Sequence, residues 1–484
     1  MNQMPLLNDS LSVLPPALTI NGAEVSALEN FDIVNPATGA VFAKAPSASP
    51  DQVNAAMQAA AKAQLEWADD ETARRRALHS VADVLVANVD VLSRTLTAEM
   101  GRPLAGSRSE IEMSAQWARY YAELDTTPEV IQDDSTAKAV VRHRPLGVVA
   151  AITPWNFPIS LAMWKLAPAL LAGNAVVLKP SPYTPLTTLQ VGQLLQKVLP
   201  AGVLSVLTGP DPLGALLTAH ETPSKVAFTG SVATGKKVAA AAAADLKRVT
   251  LELGGNDAAI ILDDVDLVDA VPRIFWDSFY NTGQICCAIK RVYAPASRYG
   301  EIVEALAEFA RSVHVGDGFD EGVELGPLNN APQLTKVQNF VGDALRRGAA
   351  IASGGNRLDL PGYFYEPTIL SNARDGMPVV DEEQFGPVLP IVSYDRVEEA
   401  LAAANASRLG LNGSVWTADL DRGAEIAARL SVGTALVNAG SAPEPHLPFG
   451  GVGWSGLGRE NGRWGYESFT EAQTLYVKRG GRQA

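Results

Sequence analysis

GVVAAIT (Gly147–Thr153) is an unbroken apolar run that ends in a polar residue, and it is the first of five such runs. NAVVLKP (Asn174–Pro180), GVLSVLTG (Gly202–Gly209), SKVAFTG (Ser224–Gly230) and RVTLELGG (Arg248–Gly255) repeat its texture. Between them lie helical stretches such as PLTTLQVGQLLQKVLP (Pro185–Pro200) and GKKVAAAAAADLK (Gly235–Lys247). Short buried strands alternating with amphipathic helices predict a parallel sheet covered on both faces, the Rossmann-like arrangement of an α/β protein. Ligands of such sheets bind beyond the carboxyl ends of the strands. TPWNFP, KPSP, FTGS and ELGG all fall there.

Upstream, Pro50 to about Leu124 reads as helical, with heptad-like apolar spacing through RRRALHSVADVLVANVDVLSRTL. AKAVVRHRPLG (Ala137–Gly147) is an extended segment too polar for a core strand. Downstream, a second α/β region starts at DAAIILDD (Asp257–Asp264), carries both cysteines of the chain, and runs through EEQFGPVLP to PFGGVGWSGLGRENG. The tail ESFTEAQTLYVKR alternates like a strand. No internal repeat or low-complexity linker interrupts this order.

A chain of 484 residues has room for about two to four domains. Its 47% hydrophobic and 19% charged residues are those of an ordinary globular protein. The formal charge of -14 argues against a nucleic-acid or anionic-membrane surface. The first twenty residues lack a basic leader and are broken by prolines, unlike a signal peptide. No apolar run reaches the roughly 18 residues of a membrane span. With only two thiols, the expected location is the cytoplasm.

Those thiols, Cys286 and Cys287, are adjacent in YNTGQICCAIKRVY. Neighbouring cysteines rarely meet disulfide geometry, and no second CxxC or HxxxH completes a zinc site, so no metal is expected. A reactive thiol beside a packing thiol is one reading, and two buried packing thiols is the other. Asn156, between Trp155 and Phe157, is placed to hold an oxyanion or to satisfy a turn. FTGS ahead of Gly235 offers a glycine turn and a helix N-terminus for a phosphate, although it is not GxGxxG. Glu252 is a general base or a salt-bridge partner, and it gains interest only with a nucleophile such as Cys286 nearby.

The motifs PWNFP, KPSP, FTGS, ELGG, GQICC, EEQFGPV and PFGGVGWSGLGRE stand in the order and at the spacing of the aldehyde dehydrogenase superfamily. The chain resembles that family from NPATG at Asn35 to Glu471. The resemblance implies NAD(P)-dependent oxidation of an aldehyde to the acid. Cys286 is then the nucleophile, Asn156 and the Cys286 N–H the oxyanion donors, and Glu252 the base that activates water. Lys165 and Glu460 match positions of a proton relay. The cofactor cleft would comprise Ile152, Thr153, Pro154, Trp155, Lys179, Ser181, Pro182, Gly209, Phe228, Thr229, Gly230, Ser231, Gly235, Leu253 and Gly254. Glu383 would hold the nicotinamide ribose and Phe385 would pack near the ring. The substrate tunnel would be formed by Phe157, Leu161, Trp164, Trp276, Tyr280, Ile285, Cys287 and Phe449. Such a tunnel suits aromatic or medium-chain apolar aldehydes.

The resemblance also implies a division of the chain. Residues 1–126 and 146–253 form the cofactor-binding domain, 254–455 the catalytic domain, and 127–145 with 456–484 the oligomerisation segments of a homodimer or homotetramer. One departure stands out. NAD-preferring relatives read KP-x-E, and here Lys179 is followed by Pro180, Ser181 and Pro182. Without that carboxylate, NADP is admissible beside NAD. A CoA-acylating relative is the nearest alternative, although such enzymes usually lack the carboxylate at Glu252. A cysteine hydrolase is a remoter one, because none of the five histidines lies in a motif suited to a base.

Overall fold

Five strands form the parallel core of the first sheet: Val148–Ile152, Ala175–Lys179, Leu204–Val206, Lys225–Thr229 and Arg248–Glu252. The computed structural model describes residues 15–441 and 443–479. The first twenty residues, read above as unlike a signal peptide, lie largely outside them. Every residue of Val148–Ile152, Ala175–Lys179 and Lys225–Thr229 is buried, as continuous apolar strands covered on both faces must be.

The crossover from the first strand to the second is the helix Pro158–Ala172. Proline at its first turn costs no hydrogen bond, and Gly173 (φ 93°) closes it in the left-handed region that glycine tolerates. The whole helix is buried, because it lies between the sheet and the helices Glu71–Ala87 and Leu104–Glu123.

Across the sheet the parallel strands run 204–206, 175–179, 148–152, 225–229, 248–252. Chain direction across the sheet reverses between Val148–Ile152 and Lys225–Thr229, which opens a crevice at their carboxyl ends. The register aligns Ile152 with Lys179 and Phe228, and Thr229 with Glu252. The four polar motifs therefore leave the sheet at one level. Gly456–Leu457 adds an antiparallel edge strand against Leu251 and Glu252. The glycine-rich PFGGVGWSGLGRENG motif is thus pinned beside Glu252.

A second sheet is built around Asp257–Ile261, paired in parallel with Ile289–Pro295 and Asn412–Trp416. Separate apolar clusters cover its faces, one holding Ile260, Phe340 and Val415, the other Phe275, Phe279 and Trp416. Alternation along Asp257–Ile261 sends Ile260 to one cluster and Ile261 to the other. A third sheet stands apart: Glu129–Asp133, Ala137–Pro145 and the final strand Thr470–Lys478, antiparallel from Thr470↔Pro145 to Lys478↔Ala137. No described helix is long and apolar enough to cross a membrane.

Leu178 lies in the first sheet with 1% of its surface exposed. Leu178→Ala should lower unfolding free energy by about 2–5 kcal/mol through lost transfer energy and the cavity left behind. Urea denaturation of the two proteins measures that loss, and a change below about 1 kcal/mol would mean that the neighbouring side chains collapse into the gap.

Candidate active site

Asn156 leaves the first parallel strand and is fixed from behind. Its backbone carbonyl accepts from the Arg102 guanidinium at 2.6 Å and from Asn281 Nδ2 at 3.1 Å. Its side-chain amide donates to the Gln284 carbonyl at 2.9 Å. Arg102 also donates to Asn281 Oδ1 at 3.1 Å and pairs with Glu110 at 2.7 Å. The second Glu110 oxygen accepts from the N–H groups of Ile159 and Ser160 at 2.9 and 3.0 Å. A carboxylate at the N-terminus of Pro158–Ala172 answers the unsatisfied N–H groups and positive end of that helix.

Between the helix Leu267–Phe279 and the strand Ile289–Pro295 the chain makes three left-handed residues in succession. Asn281, Thr282 and Gly283 have φ of 52°, 58° and 71°. For β-branched Thr282 this is a strained state. It is held by a bond from Thr282 Oγ1 to the Gly326 carbonyl at 2.9 Å. Gln284 braces the turn further, donating to the Asn281 carbonyl at 2.9 Å and accepting from Asn329 N–H at 2.8 Å. A side chain at Gly283 would stand 2.4 Å from the Gly386 carbonyl. Only glycine fits.

The turn delivers Cys286, half-buried, to a cavity, while Cys287 is 5% exposed with Sγ 3.2 Å from Ser441 Oγ. The thiols titrate as a pair. The hydrogen bond from Cys286 brings Cys287 down to about 7, with Ser441 and Lys290 adding to it. That same bond, then burial, pushes the ionisation of Cys286 well above the ordinary thiol range. One negative charge is thus favoured on the pair and a second is opposed. The Lys290 ammonium, which donates to the Ile285 carbonyl, lowers both.

Glu252 is 3% exposed and, among the described residues, neither carboxylate oxygen has a hydrogen-bond partner. Burial holds its carboxyl well above the usual range, Glu460 adds to this, and Lys165 opposes it. Glu460 has a different setting: Lys165 Nζ sits 2.6 Å from its Oε1 and 2.6 Å from Thr229 Oγ1. Gly450 presses on Glu252, since an added Cβ would lie 2.8 Å from Oε1.

A cavity of about 190 Å³ gathers many of the residues expected from sequence: Pro154, Trp155, Asn156, Thr229, Gly230, Ser231, Leu253, Gly254, Cys286, Glu383 and Phe385. Glu383 accepts from Gly255 N–H at 3.0 Å, and a Cβ on Gly254 would fall 2.3 Å from its carboxylate. Phe385, itself left-handed at φ 55°, meets Trp155 edge-on with ring centroids 5.4 Å apart. Ser231 and Glu383 also line a wider cleft of about 1000 Å³. Gly230 and Gly235 serve close packing, against the Phe228 ring and Leu253. Ile152 and Thr153 are buried behind the cavity, and Thr153 Oγ1 has no partner.

Other expected residues lie elsewhere. Pro182 lines a separate cavity of about 520 Å³. Lys179 and Ser181 are buried near it, and Gly209 packs on Leu213. Phe157 stacks on Tyr280 at 6.4 Å and Trp164 meets Phe449 at 5.0 Å. Leu161, Ile285 and Cys287 join the same apolar cluster. Trp276 instead packs on Phe275 and Phe309 in a cluster of the second sheet.

Sequence reading missed Gln333 and Lys336, which complete the Cys286 cavity. Both come from the helix Ala331–Arg346, and Gln333 Nε2 donates to the Gln384 and Phe385 carbonyls at 2.8 Å each. Arg102, Glu110, Asn281 and Lys290 were also missed. Their only sequence signal is that charged or amide residues stand among apolar neighbours destined for burial.

The arrangement sets a thiol beside an amide on one cavity, with a dry carboxylate close behind. It also fits an elongated ligand with hydroxyls and a flat ring: Glu383 and Lys336 for the hydroxyls, Trp155 and Phe385 for the ring, and the Ser231 helix end for an anion. The aldehyde dehydrogenase family model matches residues 23–475. Aldehyde dehydrogenase LUC3 of Fusarium sp is 38% identical over 447 residues, 92% of this chain and 95% of that relative. The NAD+ complex of an aldehyde dehydrogenase from Bacillus cereus superposes with TM-score 0.94 at 35% identity, covering 99% of each chain. An NADP-dependent enzyme of E. coli gives TM-score 0.94 at 34% identity, covering 97% of this chain and all of that one.

The unpartnered Glu252 carries a stability signature. Unfolded, the carboxyl ionises near 4.5; folded, it stays protonated to much higher pH. Folding then takes up a proton, so this group's contribution to stability falls as pH rises. Glu252→Gln removes the effect, and its melting temperature should exceed the parent's by a margin that widens from about pH 5 to about pH 8. The limiting slope is about 1.4 kcal/mol per pH unit. A constant margin would place an ionised Glu252 in the folded protein.

Proposed function

The chain belongs to the aldehyde dehydrogenase family, and from that premise we propose that it oxidises an aromatic or medium-chain apolar aldehyde to the carboxylic acid, with NAD as acceptor. The observation that carries the reading is the convergence of Cys286, Asn156, Glu383 and Phe385 on one cavity, with Glu252 buried beside it.

In the first step the Cys286 sulfur, reacting as the thiolate, bonds to the aldehyde carbon and the carbonyl electron pair moves to oxygen. The oxyanion is met by the Asn156 amide and the Cys286 N–H. Asn156 is suited to this because Arg102 and Asn281 hold its backbone, so little reorganisation is needed. The nicotinamide cofactor, when bound, supplies one function: it accepts the hydride that leaves the carbon and turns the adduct into a thioester. Glu383 and Lys336 are the groups to hold its ribose, and Phe385 with Trp155 the rings to confine its plane.

Glu252 then takes a proton from water, and the water oxygen attacks the thioester carbon and releases the acid and the Cys286 thiolate. A carboxyl held above its usual range is a stronger base once ionised. The Glu460–Lys165–Thr229 chain is a route by which its proton leaves. The presence of Glu252 favours hydrolysis over transfer to CoA.

The substrate class is inferred from the residues expected to form the tunnel. Phe157, Tyr280, Trp164 and Phe449 are aromatic. The Arg102 guanidinium lies 4.3 Å over Phe157, and its charge is matched by Glu110. That leaves Arg102 without a free charge for a carboxylated aldehyde. NAD is supported by the Bacillus cereus complex, while the E. coli neighbour keeps NADP as the alternative. Self-association as a homodimer or homotetramer is supported by the third sheet, where Val130, Ile131, Leu475, Tyr476 and Val477 are each about half exposed. The cytoplasm is the compartment that keeps Cys286 reduced.

Cys286→Ala should abolish aldehyde oxidation and leave dinucleotide binding intact, whereas Cys287→Ala should retain turnover with altered substrate preference. Initial rates of nicotinamide reduction over a panel of benzaldehyde-type, linear and charged aldehydes test both, and an active Cys286→Ala protein would sink the mechanism. Glu252→Gln should slow hydrolysis more than hydride transfer. Rapid mixing should then show a burst of reduced cofactor, a slow steady state and an acyl adduct detectable by mass; a uniformly slow reaction with no adduct would remove Glu252 from the base role.

A further inference from the structure

Behind the two thiols the chain closes around a buried ammonium. We propose that Lys290 is a positioning residue, which aims and polarises the peptide between Ile285 and Cys286 so that its N–H meets the oxyanion. The inference rests on the dehydrogenase reading for the presence of that oxyanion, and everything else comes from the geometry of the turn.

Cys286 and Cys287 are the central residues of a turn closed by Ala288 N–H on the Ile285 carbonyl. At 3.4 Å that bond is long, since an ordinary one is about 2.9 Å. The same carbonyl accepts from the Lys290 ammonium, which also reaches the Ala288 carbonyl at 3.4 Å. A charged donor makes the stronger bond of the two on Ile285. Lys290 is the second residue of the strand Ile289–Pro295 and is 2% exposed. Its own carbonyl accepts from Gln384 Nε2 at 3.1 Å, and Nζ lies 5.7 Å from the centroid of the Phe385 ring. No carboxylate is in ion-pair contact with it among the described residues. Burial raises the carboxyls of Asp257 and Glu383, and Lys290 is the charge that opposes it most in both. Taking an ammonium this far out of water is costly, and here its donors are spent on the carbonyls of the thiol turn.

A trans peptide is planar, so its C=O and N–H point in opposite directions. The Ile285 carbonyl and the Cys286 N–H belong to one peptide. Drawing the carbonyl onto the ammonium therefore turns the N–H away from it, and that N–H meets no backbone acceptor among the described residues. The next carbonyl, that of Cys286, is backed by Gly255, where an added Cβ would fall 2.4 Å away. The turn is thus gripped on both sides. Hydrogen bonds in series strengthen one another where the dielectric is low, so the grip also makes the N–H a better donor. A donor fixed in advance gains most where charge develops only in the transition state.

The test compares two reactions of one sulfur. With iodoacetamide the sulfur bonds to the methylene carbon, iodide leaves, and no charge gathers on oxygen. With an aldehyde the charge gathers on oxygen before hydride leaves. The quantity to follow is the burst rate of nicotinamide reduction divided by the rate of Cys286 alkylation, counted by peptide mass at the same pH. The thiolate fraction cancels in that ratio. Lys290→Met keeps the length of the stem without a donor, and Lys290→Gln keeps a neutral donor. The ratio should fall at least about tenfold in Lys290→Met, equal to about 1.4 kcal/mol, and by less in Lys290→Gln. Two rates that fall together would make Lys290 a residue that only charges the thiol, and would overturn the proposal. Variants that both melt below the assay temperature would overturn it too, by making Lys290 a support of the fold. A parent protein whose Cys286 alkylates but which reduces no nucleotide with any aldehyde overturns the dehydrogenase reading and this role together.

Discussion

The left-handed turn Asn281–Thr282–Gly283 is the constraint on which the site depends. Of its three left-handed residues, Asn281 and the β-branched Thr282 cost on the order of 1–3 kcal/mol each and persist only where the surroundings over-determine them. The surroundings do so here. Gly326 takes the threonine hydroxyl, Gln284 bridges Asn281 and Asn329, and Arg102 holds Asn281. Gly386 leaves no room for a side chain at Gly283. The same residues that hold the turn also hold Asn156, so Cys286 and Asn156 share one scaffold. A shift in either moves both.

Dryness is the second condition. Arg102–Glu110 and Lys165–Glu460 are ion pairs with at most 1% of either side chain exposed. Taking such charges out of water costs several kcal/mol per ion, so such pairs are weak evidence of stability. Their geometry points to positioning: Glu110 ties the guanidinium to a helix end, and Lys165 ties Glu460 to Thr229. Glu252 shares this surrounding without a partner. Two carboxylates in one buried region thus receive opposite treatment, one paired and one left to hold its proton. Separate tasks need that difference.

Much of the first sheet was legible because its signal is local. An apolar run of five buried residues acts over a few positions, so Val148–Ile152 and Lys225–Thr229 could be read from the chain. Cys286, Asn156 and Glu252 stand out as candidates because Asn156 and Glu252 lie in polar motifs at strand ends and Cys286 in a paired-thiol motif. Arg102, Glu110, Gln333 and Lys336 carry no such mark. They reach the site from elements dozens to hundreds of residues away, and only their burial partners single them out.

By itself the sequence determined which residues turn inward, where the chain turns, and which polar groups stand at strand ends, since each follows from side-chain chemistry over a few residues. The tertiary structure alone decided which partner covers each of those faces. It sent Trp276 to the cluster of Phe275 and Phe309 and laid Gly456–Leu457 along Glu252. The physical reason is that burial is non-directional: an apolar pattern states that a surface must be covered, and long-range packing chooses what covers it.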